Sequence, residues 1–162
     1  MTVTPATPEE RLAAAGLTLP PAPEPVAVYV PAVLNGHYVY TSGQLPMVDG
    51  ALPLTGKVGA GVTPEQGKDL ARQCALNALA AVASVAGDLS AVKRVVKVVG
   101  FVASDPSFTG QPGVVNGASE LLGTAFGDAG IHARSAVGVT VLPLDAPVEV
   151  ELVVELHTPM GV

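Results

Sequence analysis

Val148-Glu149-Val150-Glu151-Leu152-Val153-Val154-Glu155-Leu156 is the stretch that decides the fold class. Val148, Val150, Leu152, Val154 and Leu156 alternate with Glu149, Glu151, Val153 and Glu155. Side chains alternate faces along a strand, so a period of two predicts a strand with one buried face. Upstream, Val137, Val139 and Val141 alternate in the same way, and Val95–Ala103 is a dense β-branched run with the length of a buried strand. Leu142-Pro143-Leu144-Asp145-Ala146-Pro147 reads as a turn. If that turn closes a simple hairpin, Glu149 falls opposite about Thr140, ~20 Å along a strand from Arg134.

Helix signals separate these strands. Thr7-Pro8-Glu9-Glu10 and Thr63-Pro64-Glu65 each offer a capping hydroxyl, a proline at the first helical position and acid in the first turn. The first predicts a short helix to Gly16. The second predicts a long Ala-rich helix through Leu70, Cys74, Leu79 and Val82, ending at Gly87. A further helix is expected from about Val114 to Phe126, with apolar spacing at Val114, Ala118, Leu121, Leu122 and Ala125. Asn35-Gly36, between Val26–Leu34 and His37–Thr41, predicts a hairpin because both residues tolerate φ > 0. The prolines between Thr18 and Pro25 predict an extended arm. The order ββ(β)αβαββ is that of an α+β fold, a sheet with helices on one face. Residues 1–25 are expected to form an N-terminal helix and proline-rich arm, and 26–162 a single domain.

The chain has 162 residues, enough to bury roughly two-thirds of its unfolded surface without disulfides or metal. Hydrophobic residues make up 49% and charged residues 14%, well short of the usual share of about 25%. So apolar a chain either enters a membrane or hides surface against partners. Arg72, Gln73 and Asn77 interrupt one possible span, and Lys93, Arg94 and Lys97 another, so a closed oligomer is expected instead. A formal net charge of −6 argues against nucleic acid as a partner, since Lys93, Arg94 and Lys97 are too few to displace counterions along a strand. One cysteine excludes an internal disulfide. Met1–Thr18 lacks the basic and hydrophobic regions of a secretory signal, so a cytoplasmic location is expected.

Several apparent motifs fail. His37, His132 and His157 lack metal-ligand spacing, and Cys74 has no second thiol. Gly50 lies one residue too far from Gly56-Lys57 for a phosphate loop, and Val58 replaces the required hydroxyl. Ser42 lacks the Gly-x-Ser-x-Gly setting of a nucleophile. Cys74 reads as a small buried hydrophobe. Two charged features remain. Arg134, in Ala133-Arg134-Ser135-Ala136-Val137, is either a solvated strand-end arginine or a guanidinium fork for a substrate carboxylate. Glu149, Glu151 and Glu155 are either a wet outer face or include a general acid/base sequestered at an interface.

These residues sit within a larger pattern. Tyr29, Asn35-Gly36 and Tyr40-Thr41-Ser42-Gly43-Gln44-Leu45-Pro46 are followed by Gln73, Leu76-Asn77-Ala78, Ala86-Gly87 and Val115-Asn116. Then come Ala133-Arg134-Ser135-Ala136-Val137-Gly138-Val139, Leu142-Pro143 and Val148-Glu149-Val150-Glu151. In that order and spacing, from Val26 to Leu156, the chain resembles the Rid/YjgF-like family of reactive intermediate deaminases, also described as L-PSP endoribonucleases. The N-terminal arm resembles that of a longer subgroup. The resemblance implies a chorismate-mutase-like α+β fold, a mixed sheet with two main helices, assembled as a homotrimer with sites between subunits. It implies hydrolysis of 2-imino acids or their enamine tautomers to 2-oxo acids and ammonia, with no metal or organic cofactor. By position, Arg134 would clamp the substrate carboxylate and Glu149 would activate water, helped by the Ala136 carbonyl. Tyr29, Ser42, Gly43 and Asn116 would line the pocket. Two rival functions remain open: a non-catalytic trimer that binds small carboxylates, and an endoribonuclease.

Overall fold

The computed structural model describes residues 5–24 and 28–158. The elements run α1 (Pro8–Ala14), β1 (Ala32–Asn35), β2 (Tyr38–Thr41), α2 (Pro64–Ala86), β3 (Val92–Ala103), α3 (Gln111–Phe126), β4 (Ala133–Val139) and β5 (Val148–Leu156). The strands form one mixed sheet in the order β1-β2-β5-β3-β4. Every neighbouring pair is antiparallel except β3 and β4, which run parallel. A parallel pair needs a crossover, and α3 supplies it. The expected α+β class and the two main helices are as the sequence predicts.

The alternation in β5 explains how the layers stack. Val148, Val150, Leu152, Val154 and Leu156 are all buried against the helical layer, each stabilising the fold by about 1.5–3 kcal/mol. Glu149, Glu151, Val153 and Glu155 turn to the opposite face, which no helix among the described residues covers. Pairing carries that uncovered face across the sheet, from Val33 and Tyr40 through Val153 on one side, and from Glu149 through Phe101 to Val137 on the other. Val33, Tyr40 and Val137 are 52%, 45% and 43% exposed there. No helix among the described residues is long and apolar enough to cross a membrane.

Both Thr-Pro-Glu starts form complete capping boxes: Thr7 with Glu10, and Thr63 with Gln66. The long helix ends on Gly87, as expected, at φ 93°. Its alanines let it lie close to its neighbours, and Cys74 at its centre is fully buried. Small residues also bring α2 and α3 together, for a Cβ on Gly117 would strike the Lys68 carbonyl oxygen. Helix α1 packs on α3 and buries Leu12. The Glu9 carboxylate accepts from the Leu89 amide at 2.7 Å.

Several expectations need correction. The hairpin pairs Asn35 with Tyr38, so its two-residue loop is Gly36-His37, one position later than the Asn-Gly reading. Gly36 (φ 62°) supplies the positive φ that the first loop position requires, and Asn35 stays in the ladder. The first strand covers only Ala32–Asn35, and residues 26–27 of the predicted stretch lie outside the described residues. Helix α3 starts at Gln111, three residues earlier than its apolar pattern, because its first turn is exposed. The hairpin between β4 and β5 does not exist: β3 lies between them and pairs with both.

Candidate functional site

The structure sorts the candidate residues into two groups. The first gathers where β4 meets α3. Val98 of β3 pairs with Arg134, so the arginine lies on the helical face of the edge strand. Arg134 Nη1 donates to Asn116 Oδ1 at 2.8 Å and to Ser119 Oγ at 3.2 Å, and Nη2 donates to the Pro112 carbonyl at 3.2 Å. Positions 112, 116 and 119 stand on one face of α3 because they follow i, i+4, i+7 spacing. The guanidinium is thus held by one helix face rather than waving in solvent. Ala136 lies two residues further along the same strand. The Val139 carbonyl accepts from the Ser104 amide, towards β3. Carbonyls alternate sides along a strand, so that of Ala136 points out of the sheet edge, free to accept from a ligand.

The second group gathers between β2 and β5. After Tyr40, paired with Val153, the ladder resumes with Gln44 opposite Val150. Four steps on one strand match three on the other, so Ser42 and Gly43 form a bulge. Gly43 belongs there because the Glu149 carboxylate occupies the space of its missing side chain. Ser42 donates its hydroxyl to the Val30 carbonyl at 2.7 Å, and its amide to that of Pro31 at 2.8 Å. These bonds bring the segment carrying the exposed Tyr29 alongside. Burial, then the charge of Glu151, raises the pKa of Glu149 above the ordinary carboxylate value. A carboxyl of raised proton affinity, set against a backbone notch, is suited to take a proton from water and hand it on.

The two groups do not meet within one chain. Glu149 and Arg134 sit on strands separated by β3, on opposite faces of the sheet, and about 14 Å apart by strand spacing and register. Each half offers what the other lacks: the first has the cation, the second the carboxyl.

Three further residues support these groups, and the sequence reading assigns none of them a role at the site. Asn77, buried in α2, donates to the Leu45 and Met47 carbonyls at 2.9 and 3.0 Å. It thereby anchors the loop that follows Gly43. Ser119 and His132 extend the hydrogen bonding behind Arg134. Their i+3 and i−2 offsets from Asn116 and Arg134 were visible, but their meeting depends on how β4 lies against α3. No group of three or more His, Cys, Asp or Glu among the described residues could hold a metal ion.

Residues 9–156 match the sequence model of a family described as "YjgF/chorismate_mutase-like, putative endoribonuclease". The chain is 48% identical over 143 residues to the protein TCP17 of Trypanosoma cruzi, covering 88% of this chain and 89% of that one. A crystal structure from Shewanella oneidensis, described as a putative endoribonuclease, superposes with a TM-score of 0.90 at 37% identity, covering 93% of this chain and 100% of that one. The Escherichia coli protein TdcF, crystallised with bound serine, superposes with a TM-score of 0.60 at 25% identity, over 83% and 92% of the two chains.

Proposed function

The chain belongs to the YjgF/chorismate-mutase-like family, and from that premise we propose that it is a homotrimeric deaminase of small 2-imino acids. Its sites lie in clefts where the Arg134 group of one copy faces the Glu149 group of the next. The observation that carries this reading is the Arg134 guanidinium, held by three acceptors on α3. A guanidinium has five N–H groups, so two remain for a ligand, the number a bidentate carboxylate takes up.

With the carboxylate fixed on Arg134, the imine carbon is presented to a water held between Glu149 and the Ala136 carbonyl. Glu149 takes a proton from that water as its oxygen bonds to the imine carbon. That proton passes to the nitrogen, giving a neutral carbinolamine. Glu149 then carries the remaining hydroxyl proton to the same nitrogen as the C–N bond breaks, so ammonia departs and a 2-oxo acid is left. The overall change is imine plus water to ketone plus ammonia, with no redox step. An imine is already electrophilic, so orientation supplies much of the acceleration. Ser42, Gly43, Tyr29 and Asn116 line the cleft and fix the substrate's remaining groups.

Binding of serine by TdcF favours a second reading, in which the cleft holds a small carboxylate without turning it over. RNA cleavage has less support, because Lys93 in the only cationic cluster is already paired with Glu155. The test is to generate 2-iminobutyrate or 2-iminopropionate in situ and follow its loss. Wild type should accelerate the loss over buffer, and Arg134→Ala and Glu149→Ala should each reduce kcat/KM by about 100-fold or more. Tight carboxylate binding without acceleration by wild type would leave the binding reading in place of the deaminase.

A further inference from the structure

Behind Arg134 runs a chain of hydrogen bonds that the reaction itself does not use. His132 Nδ1 lies 2.6 Å from the Gly130 carbonyl oxygen, and His132 Nε2 lies 2.9 Å from Ser119 Oγ. A carbonyl can only accept, so Nδ1 carries the proton and donates. In the neutral ring Nε2 is then the acceptor. The single hydroxyl proton of Ser119 is therefore committed to His132. Its oxygen presents lone pairs to Arg134 Nη1 at 3.2 Å. Every bond points one way: Arg134 to Ser119, Ser119 to His132, His132 to Gly130.

Direction matters because a serine hydroxyl can rotate. Without an acceptor at the His132 position, its proton is free to swing towards the guanidinium, replacing an attraction with a repulsion. Arg134 would keep Asn116 and Pro112 but lose the contact that fixes the tilt of its plane. A bidentate carboxylate contact depends on that plane, so tilt translates into affinity.

We propose that His132 is a positioning residue for Arg134. Acting through the Ser119 hydroxyl, it aims the two spare N–H groups of the guanidinium at the ligand carboxylate. This deepens the proposed function and rests on its assignment of Arg134 to a carboxylate. His132 itself touches no substrate.

The test uses the full chain and a ligand that does not react, 2-oxobutyrate, with binding followed by calorimetry. Ser119→Ala and His132→Leu should each weaken binding roughly 3- to 30-fold, within the range found for coupled residues of one network. His132→Gln, which keeps an acceptor for Ser119, should stay close to wild type. In an Arg134→Ala background, His132→Leu should change nothing further, since its effect passes through the arginine. A general packing defect would persist in that background, and seeing it persist would overturn the proposal. So would wild-type affinity in both Ser119→Ala and His132→Leu while Arg134→Ala binds poorly, a result that leaves the function standing. Unchanged binding in Arg134→Ala would remove the carboxylate assignment and this proposal together. Nitrogen NMR of the imidazoles, assigned by difference with His132→Gln, should show His132 as the Nδ1–H tautomer. The Nε2–H tautomer would reverse the chain and refute it.

Discussion

Glu149 and Glu155 occupy equivalent places in the alternation of β5, yet the fold moves their proton affinities in opposite directions. Lys93 hydrogen-bonds Glu155 and lowers its pKa. Burial against Gly43, then the neighbouring Glu151, raises that of Glu149. A carboxyl with a raised folded pKa favours the folded state most while protonated. Its contribution is complete below the ordinary glutamate value of 4.5 and is lost as pH rises through the folded value. Glu149→Gln removes that titration while preserving size. The urea midpoint of wild type should therefore fall relative to Glu149→Gln as pH rises from about 4 towards neutrality. The difference should stay below about 1 kcal/mol, because solvent screens a half-buried group. Parallel midpoints across that range would contradict the placement of Glu149. Nothing in the strand pattern separates the two glutamates. Their environments come from Gly43 and Lys93, one on the β2–β5 bulge and the other on β3.

At the level of elements, two glycines of α3 make opposite predictions. Gly117 lies against α2, where a Cβ would meet the Lys68 carbonyl, whereas a Cβ on Gly123 meets nothing within 4 Å. Gly117→Ala should destabilise by about 1–3 kcal/mol through overpacking. Gly123→Ala should stabilise by about 0.5–1 kcal/mol, because alanine loses less backbone freedom in a helix. Equilibrium denaturation of both variants checks the pair, and a stabilising Gly117→Ala would refute the close crossing. These two glycines look alike in sequence, but other parts of the helical layer were legible. Thr63-Pro64-Glu65 marks the start of α2 because capping is local chemistry, and Gly87 marks its end for the same reason. Strand β5 was legible because alternation is local too. Strand order was not, since Leu142–Pro147 has the composition of a hairpin turn whether or not its flanking strands pair. The site divides along the same line. Arg134, Glu149 and Asn77 lie within motifs legible in the sequence, whereas what Asn77, Ser119 and His132 hold in place depends on contacts between elements.

For the whole molecule, the 49% hydrophobic content finds its place on the sheet. One face is sealed by α2 and α3, and the other leaves Val33, Tyr40 and Val137 exposed. That uncovered face bears Glu149, while Arg134 lies on the helical face at the β4 edge. A copy that covers the apolar face with its own β4 edge would solve both problems at once, hiding the surface and completing the site. In a trimer built this way, each site draws its arginine from one subunit and its glutamate from the next. Arg134→Ala and Glu149→Ala should each be inactive alone. Co-expressed in equal amounts, they should assemble sites in which the intact arginine meets the intact glutamate at a frequency of about one quarter. The mixed protein should therefore recover about a quarter of wild-type turnover on 2-iminobutyrate. Native mass spectrometry of differently tagged subunits establishes that mixed trimers have formed. Mixed trimers that stay inactive would show that no site combines the two residues across a subunit boundary. Since one chain holds them about 14 Å apart on opposite faces, they could then not act on the same substrate.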